Sequence, residues 1–214
     1  MAVAAVIWDF GGVLTSSPFE AFNRFEAERG LPRDVIRRVN ATNPDHNAWA
    51  LFERAEIDAP GFDTKFLEES TALGHPVRGA EVLTLLSGDI RPRVVAALNQ
   101  CKQHFKVGCI TNNVKTGQGA GMSSNTAKAA AVEAIMETFD AVIESSKAGL
   151  RKPDPRIYQM MCELLQVDPA DCIYLDDLGI NCKPASALGM KAIKVVGEQQ
   201  ALDDLAAATG LVFE

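Results

Sequence analysis

Apolar and polar positions along this chain fall into two regimes. In the first, short apolar runs without alternation close on polar or charged residues: VAAVIWD (3–9), KVGCITNN (106–113), AVIES (141–145), DCIYLDD (171–177) and MKAIKVV (190–196). Such a run predicts a strand buried on both faces, the kind found in a parallel sheet. From Asp89 onward these runs alternate with helical patterns, at about 92–105, in an alanine-rich stretch at 126–137, and after Asp154-Pro155, where the Asp is the expected cap. That alternation predicts an α/β core. The tail adds a helix and a short strand at 211–213.

Between residues 18 and 88 no strand pattern occurs, and apolar residues recur at helical spacing instead. Phe19, Phe22 and Phe25 mark one helix; Leu31, Val35, Ile36 and Val39 a second; Trp49, Phe52 and Ala55 a third; Phe66 and Leu67 a fourth; Val82, Leu83, Leu85 and Leu86 a fifth. Ser17-Pro18-Phe19-Glu20 has capping-box spacing with proline at the first helical position. Gly30, Asn43-Pro44-Asp45 and Asp58-Ala59-Pro60-Gly61 are the expected ends of the first three helices. The chain therefore predicts one α/β core, residues 1–17 and 89–214, with a helical cap, 18–88, inserted after the first strand. The aromatic residues of the cap are expected as core, with Trp49 the favoured candidate to face a ligand.

Composition narrows the function classes. A net charge of −7, from 21 basic and 28 acidic residues, argues against a nucleic-acid face, which needs a basic surface. No apolar run reaches the length of a membrane span. Asp9 interrupts the first run early and no basic region precedes it, which is not the pattern of a secretory signal. The five cysteines (Cys101, Cys109, Cys162, Cys172, Cys182) are widely spaced without C-x-x-C, so neither a disulfide framework nor a zinc site is expected, and a reducing cytoplasm fits. His46, His75 and His104 lack metal-ligand spacing and are expected as structural or surface residues. Gly117, Gly119 and Gly121 fit neither G-x-G-x-x-G nor a Walker pattern, which predicts a surface loop rather than a phosphate cradle.

The strand ends carry the chemistry. Asp9 closes the first run and Gly11-Gly12 follow, freeing the backbone to turn and to approach a ligand. A carboxylate delivered this way is a nucleophile, a metal ligand or both. Taken singly, Asp9 is a turn residue as often as not, Thr111 a satisfied strand-end hydroxyl, Lys152 a solvated loop charge and Asp176-Asp177 a turn. Parallel strands bring all of them to one edge, and there they complement one another. Acidic groups from two strands form an oxygen site suited to Mg²⁺. Two opposite unit charges about 4 Å apart at an effective dielectric near 20 attract by roughly 4 kcal/mol, enough to bring an anionic ester to an anionic nucleophile.

In these stretches the chain resembles the haloacid dehalogenase superfamily, in particular its phosphatase-like members with a helical cap. WDFGGVLT is similar to the first motif, ITNN to the second, GLRKPDPRIY to the third and YLDDLGIN to the fourth. The resemblance implies a Rossmann-like core, Mg²⁺, an aspartyl-phosphate intermediate and a small phosphorylated metabolite as substrate. It assigns Asp9 as nucleophile and metal ligand, Thr111 and Asn112 to the phosphoryl group, and Lys152 to charge balance. Asp177 becomes a direct metal ligand, with Asp176 in or just outside that shell, and the Gly11 carbonyl a further one. Lys147 matches no motif position and is expected at the surface.

The family's first motif usually reads D-x-D, with the second Asp as general acid and base, whereas this chain has Gly11. Some sugar-phosphate phosphatases of the family resemble it in this. General acid–base catalysis contributes about 10²–10⁴-fold, so the loss slows a phosphatase without abolishing it. Two alternatives follow: a catalytically weakened module that binds a phosphorylated ligand or a protein partner, and a 2-haloacid dehalogenase. The second is disfavoured because relatives of that kind replace the fourth-motif acids with small residues.

Overall fold

The computed structural model describes residues 3–113 and 126–214; the glycine-bearing loop discussed above lies outside them. Five strands form one parallel sheet: β1 (Ala5–Trp8), β2 (Lys106–Thr111), β3 (Ala141–Glu144), β4 (Cys172–Asp176) and β5 (Lys191–Lys194), in the order β3-β2-β1-β4-β5. Successive side chains of a strand point to opposite faces. Val6 and Trp8 therefore enter one apolar layer while Ala5 and Ile7 enter the other.

The helices cover both layers. In chain order they are α1 (Pro18–Glu28), α2 (Val35–Ala41), α3 (Ala48–Glu53), α4 (Ala59–Ala72), α5 (Gly79–Leu83), α6 (Pro92–Lys102), α7 (Thr126–Met136), α8 (Ser145–Ala148), α9 (Pro155–Leu165), α10 (Gly179–Ala187) and α11 (Glu198–Thr209). Helices α6, α7 and α11 pack on the Trp8 face, α9 and α10 on the Ile7 face. Asp154 caps α9 by accepting from Arg156 N at 3.0 Å. Helices α1 to α5 close around a separate cluster that includes Phe22, Ile36, Phe52, Phe62 and Phe66. The chain leaves and re-enters the core through two strips lying side by side, with Ser16 N donating to Asp89 O and Arg91 N to Leu14 O. All five cysteines are buried and free.

Three local expectations are corrected. Ser17 stands before α1 in an extended conformation but makes no side-chain cap bond; its hydroxyl is drawn instead to a carboxylate across the core. Asp58 does not end α3, which stops at Glu53; its side chain accepts from Gly61 N at 2.9 Å and starts α4, with Pro60 in that helix's first turn. Residues 211–213 form no strand, because the tail turns back over α6, where Gln100 Nε2 donates to Val212 O at 3.1 Å, and meets no sheet edge. No helix among the described residues is long and apolar enough to cross a membrane.

Candidate active site

Strand β1 is central, so the residue after Trp8 emerges between two neighbours. Trp8 is in register with Leu175, and Asp9 N donates to Leu175 O at 2.8 Å, which sets Asp9 abreast of Asp176. Asp9 Oδ1 accepts from Phe10 N at 2.7 Å and lies 2.8 Å from Lys152 Nζ. Its Oδ2 accepts no hydrogen bond among the described residues. Burial pushes the Asp9 carboxyl well up; Lys152 opposes that, and the charges of Asp176 and Asp177 add to it.

Lys152 is 1% exposed and bridges two carboxylates, its Nζ also lying 2.8 Å from Asp176 Oδ2. Burial alone would push the ammonium down, but Asp176 and Asp9 outweigh it and hold the lysine charged. The lysine's backbone is fixed from β2: Lys152 N donates to Asn112 Oδ1 at 2.9 Å and Asn112 Nδ2 donates to Lys152 O at 3.1 Å. The Asn112 side chain is therefore spent on the Lys152 loop. Thr111 ends β2, buried, with a hydroxyl that makes no hydrogen bond among the described residues.

The adjacent acids differ. Asp176 is fully buried; besides Lys152, its oxygens accept from Tyr174 Oη at 2.5 Å, Leu178 N at 2.8 Å and Asn181 Nδ2 at 3.1 Å. Asp177 is half-buried and, among the described residues, accepts a side-chain hydrogen bond only from Ser17 Oγ, at 3.1 Å. Its pKa is pushed up to about 6, chiefly by burial and then by the charge of Asp176, with Ser17 and Lys152 opposing. Gly12 sits beside it at φ +77°, and a Cβ there would lie 2.2 Å from Asp177 Oδ2. Only glycine permits that approach. At Gly11, by contrast, a Cβ would meet nothing within 4 Å.

Carboxylate oxygens of Asp9, Asp176 and Asp177 lie within 4.8 Å of one another. Three acids against one lysine leave a buried excess of negative charge, and every donor is a hard oxygen. Both features fit Mg²⁺.

Sequence reasoning missed several contributors. Tyr174 and Asn181 hold Asp176; Ser17 holds Asp177; Asn113 ties the end of β2 to the start of α8 through Ser145 and Ser146. Tyr174 had a signal, since residues two apart on a strand share a face. Asn181 lies only five residues after Asp176 but no pattern marks it; Ser17 and Asn113 pair across the fold and had no signal. Trp49 is half-buried against Phe62, ring centroids 5.1 Å apart, within a turn of Glu53 on the cap face that meets the Lys152 loop. Lys147 is exposed and paired with Glu144, away from the cluster.

The chain belongs to the haloacid dehalogenase-like hydrolases, whose family model matches residues 3–189. Acyl-CoA dehydrogenase family member 10 of Mus musculus is 31% identical over 214 residues, covering 96% of this chain and 19% of that protein, so this chain spans about a fifth of that relative. Phosphatase MT3486 of Mycobacterium tuberculosis is 29% identical over 95% of this chain and 92% of its own length. Among solved structures, a HAD family enzyme of Bacteroides thetaiotaomicron in complex with magnesium and inorganic phosphate shares the fold at a TM-score of 0.58 and 17% identity, over 90% of this chain and 93% of that one.

Proposed function

We propose that this protein is a Mg²⁺-dependent phosphohydrolase that cleaves a small phosphate monoester through an aspartyl-phosphate on Asp9. The observation that carries the reading is the Lys152 ammonium bridging Asp9 and Asp176 within a cluster of three carboxylates at the carboxyl edge of the sheet. The phosphatase among its relatives and the magnesium and phosphate in its structural neighbour support it.

Asp9 and Asp177 would hold the cation, with the Gly11 carbonyl as a further oxygen; Asp176, saturated by protein donors, stands behind them and aims Lys152. Bound there, magnesium supplies positive charge beside the phosphoryl oxygens. Lys152 adds its own, while the Thr111 hydroxyl and the Asn112 N–H donate to those oxygens. An Asp9 carboxylate oxygen attacks phosphorus, and the bond from phosphorus to the ester oxygen breaks. The leaving alkoxide takes its proton from water, because Gly11 offers none. Water then attacks phosphorus, the bond to Asp9 breaks, and phosphate departs.

Phosphate release from p-nitrophenyl phosphate with and without magnesium tests this. Asp9→Asn is expected to lower kcat on the order of 10³-fold or more, and retained turnover would remove Asp9 as nucleophile. Gly11 also favours a second reading, a weakened module that binds a phosphorylated ligand. Silence of the wild type across a panel of phosphate esters, with inorganic phosphate still bound, would select it.

A further inference from the structure

Lys128 reaches Ser87 O and Asp89 beside the linker strips; deeper in the interface, Arg151 joins the core to the cap before the start of α3 and at its end. Its Nη1 donates to Pro44 O at 3.0 Å, and its Nε lies 2.6 Å from Glu53 Oε2 at the end of α3. The Glu53 side chain is 6% exposed and that of Arg151 20%. Both atoms are buried, and no well-aligned hydrogen bond from another described residue reaches either, so each depends on the other for compensating charge. Burial raises the Glu53 carboxyl, and the positive charges of Arg151 and Lys152 oppose it; Arg151 is the chain neighbour of Lys152. On the core side the contact is rigid, because Asn112 clamps the backbone of Lys152, the next residue.

We infer that Arg151 and Glu53 form a clasp that seats the cap over the phosphoryl site, which makes Arg151 and Glu53 positioning residues for the leaving group. The clasp rests on the reading of Asp9 and Lys152 as that site. A solvated pair would contribute almost nothing, whereas a buried carboxylate stripped of its cation is strongly disfavoured. Breaking the clasp therefore frees the cap and leaves the core chemistry in place.

The test uses the whole chain and a double-mutant cycle of Glu53→Gln, Arg151→Met and both together. Amide hydrogen exchange of residues 44–53 is expected to speed at least tenfold in each single variant, with β1 and β4 unchanged and the double variant no faster than the singles. With p-nitrophenyl phosphate, KM should rise at least fivefold while kcat changes less than twofold. Glu53→Gln keeps the side chain's shape, so it reports on charge even where Arg151→Met disturbs folding. Unaltered exchange in α3, or effects that simply add, would overturn the clasp; faster exchange with KM unmoved would overturn its positioning role. Exchange needs no turnover, so a wild type that releases no phosphate while its cap responds as expected sinks the hydrolase reading and keeps the clasp.

Discussion

Asp176 and Asp177 are neighbours in sequence with identical side chains, and their surroundings give them different work. Asp176 receives Lys152, Tyr174, Asn181 and the Leu178 N–H, which leaves it no free lone pair directed outward. Among the described residues Asp177 meets a single hydroxyl. Gly11 and Gly12 are likewise adjacent and opposite in their demands. Gly12 cannot carry a Cβ without displacing Asp177, whereas Gly11 has room for one. Gly11→Asp is therefore expected to fold and to supply the missing proton donor. Alkyl phosphates, whose leaving groups need that proton, should gain on the order of 10²-fold in kcat, and p-nitrophenyl phosphate should gain little. Equal rates for the two enzymes on an alkyl ester would refute it.

At the scale of the element, β4 acts as a rack for one carboxylate. Tyr174 and Asp176 share a strand face, and the Tyr174 ring is fixed edge-on against Tyr158, centroids 5.2 Å apart. Tyr158 Oη in turn donates to Asn181 O at 2.8 Å, and Asn181 Nδ2 returns to Asp176. Helix α9, strand β4 and helix α10 thus meet at one buried anion. Tyr174→Phe keeps the ring and removes the donor to a charged acceptor, for which a loss of about 1.5–3 kcal/mol is expected. Urea unfolding measures this directly; an unchanged midpoint would show that Asp176 does not depend on the phenol.

At the scale of the molecule, the sheet gathers three acids and one lysine where water is scarce, and that sets the pH response. Asp177 has its pKa raised from the ordinary 3.8 to about 6, so in the metal-free protein its contribution to stability is present below the ordinary value and lost as pH rises through about 6. A cation binds the ionised form, so its affinity should fall at least about tenfold for each pH unit below 6, and more steeply where the raised Asp9 carboxyl takes a proton as well. Magnesium is expected to raise Tm at pH 8 and to do little at pH 5. The difference with and without metal isolates this site from Asp63, Asp140 and Asp154, whose carboxyls are held low by their partners. An equal rise at both pH values would break the link to Asp177.

Much of this was legible beforehand because the signals are local. Apolar runs that stop at Asp9, Thr111 and Asp176 define strands and place their polar residues at one end, and the 3.6-residue spacing from Phe19 to Leu86 defines a helical insertion. Local patterns misjudged edges, as at Asp58, which an Asp-x-Pro sequence marks equally well as a helix start, and the tail, where an apolar run at 211–213 forms no strand. What the tertiary structure alone decided was pairing. The order β3-β2-β1-β4-β5 brings Ser17 to Asp177, 160 residues away, and Lys152 between Asp9 and Asp176. Cap docking alone sets Glu53 against Arg151. Strand order and docking are long-range choices made by the whole buried surface at once, and no short window of sequence encodes them.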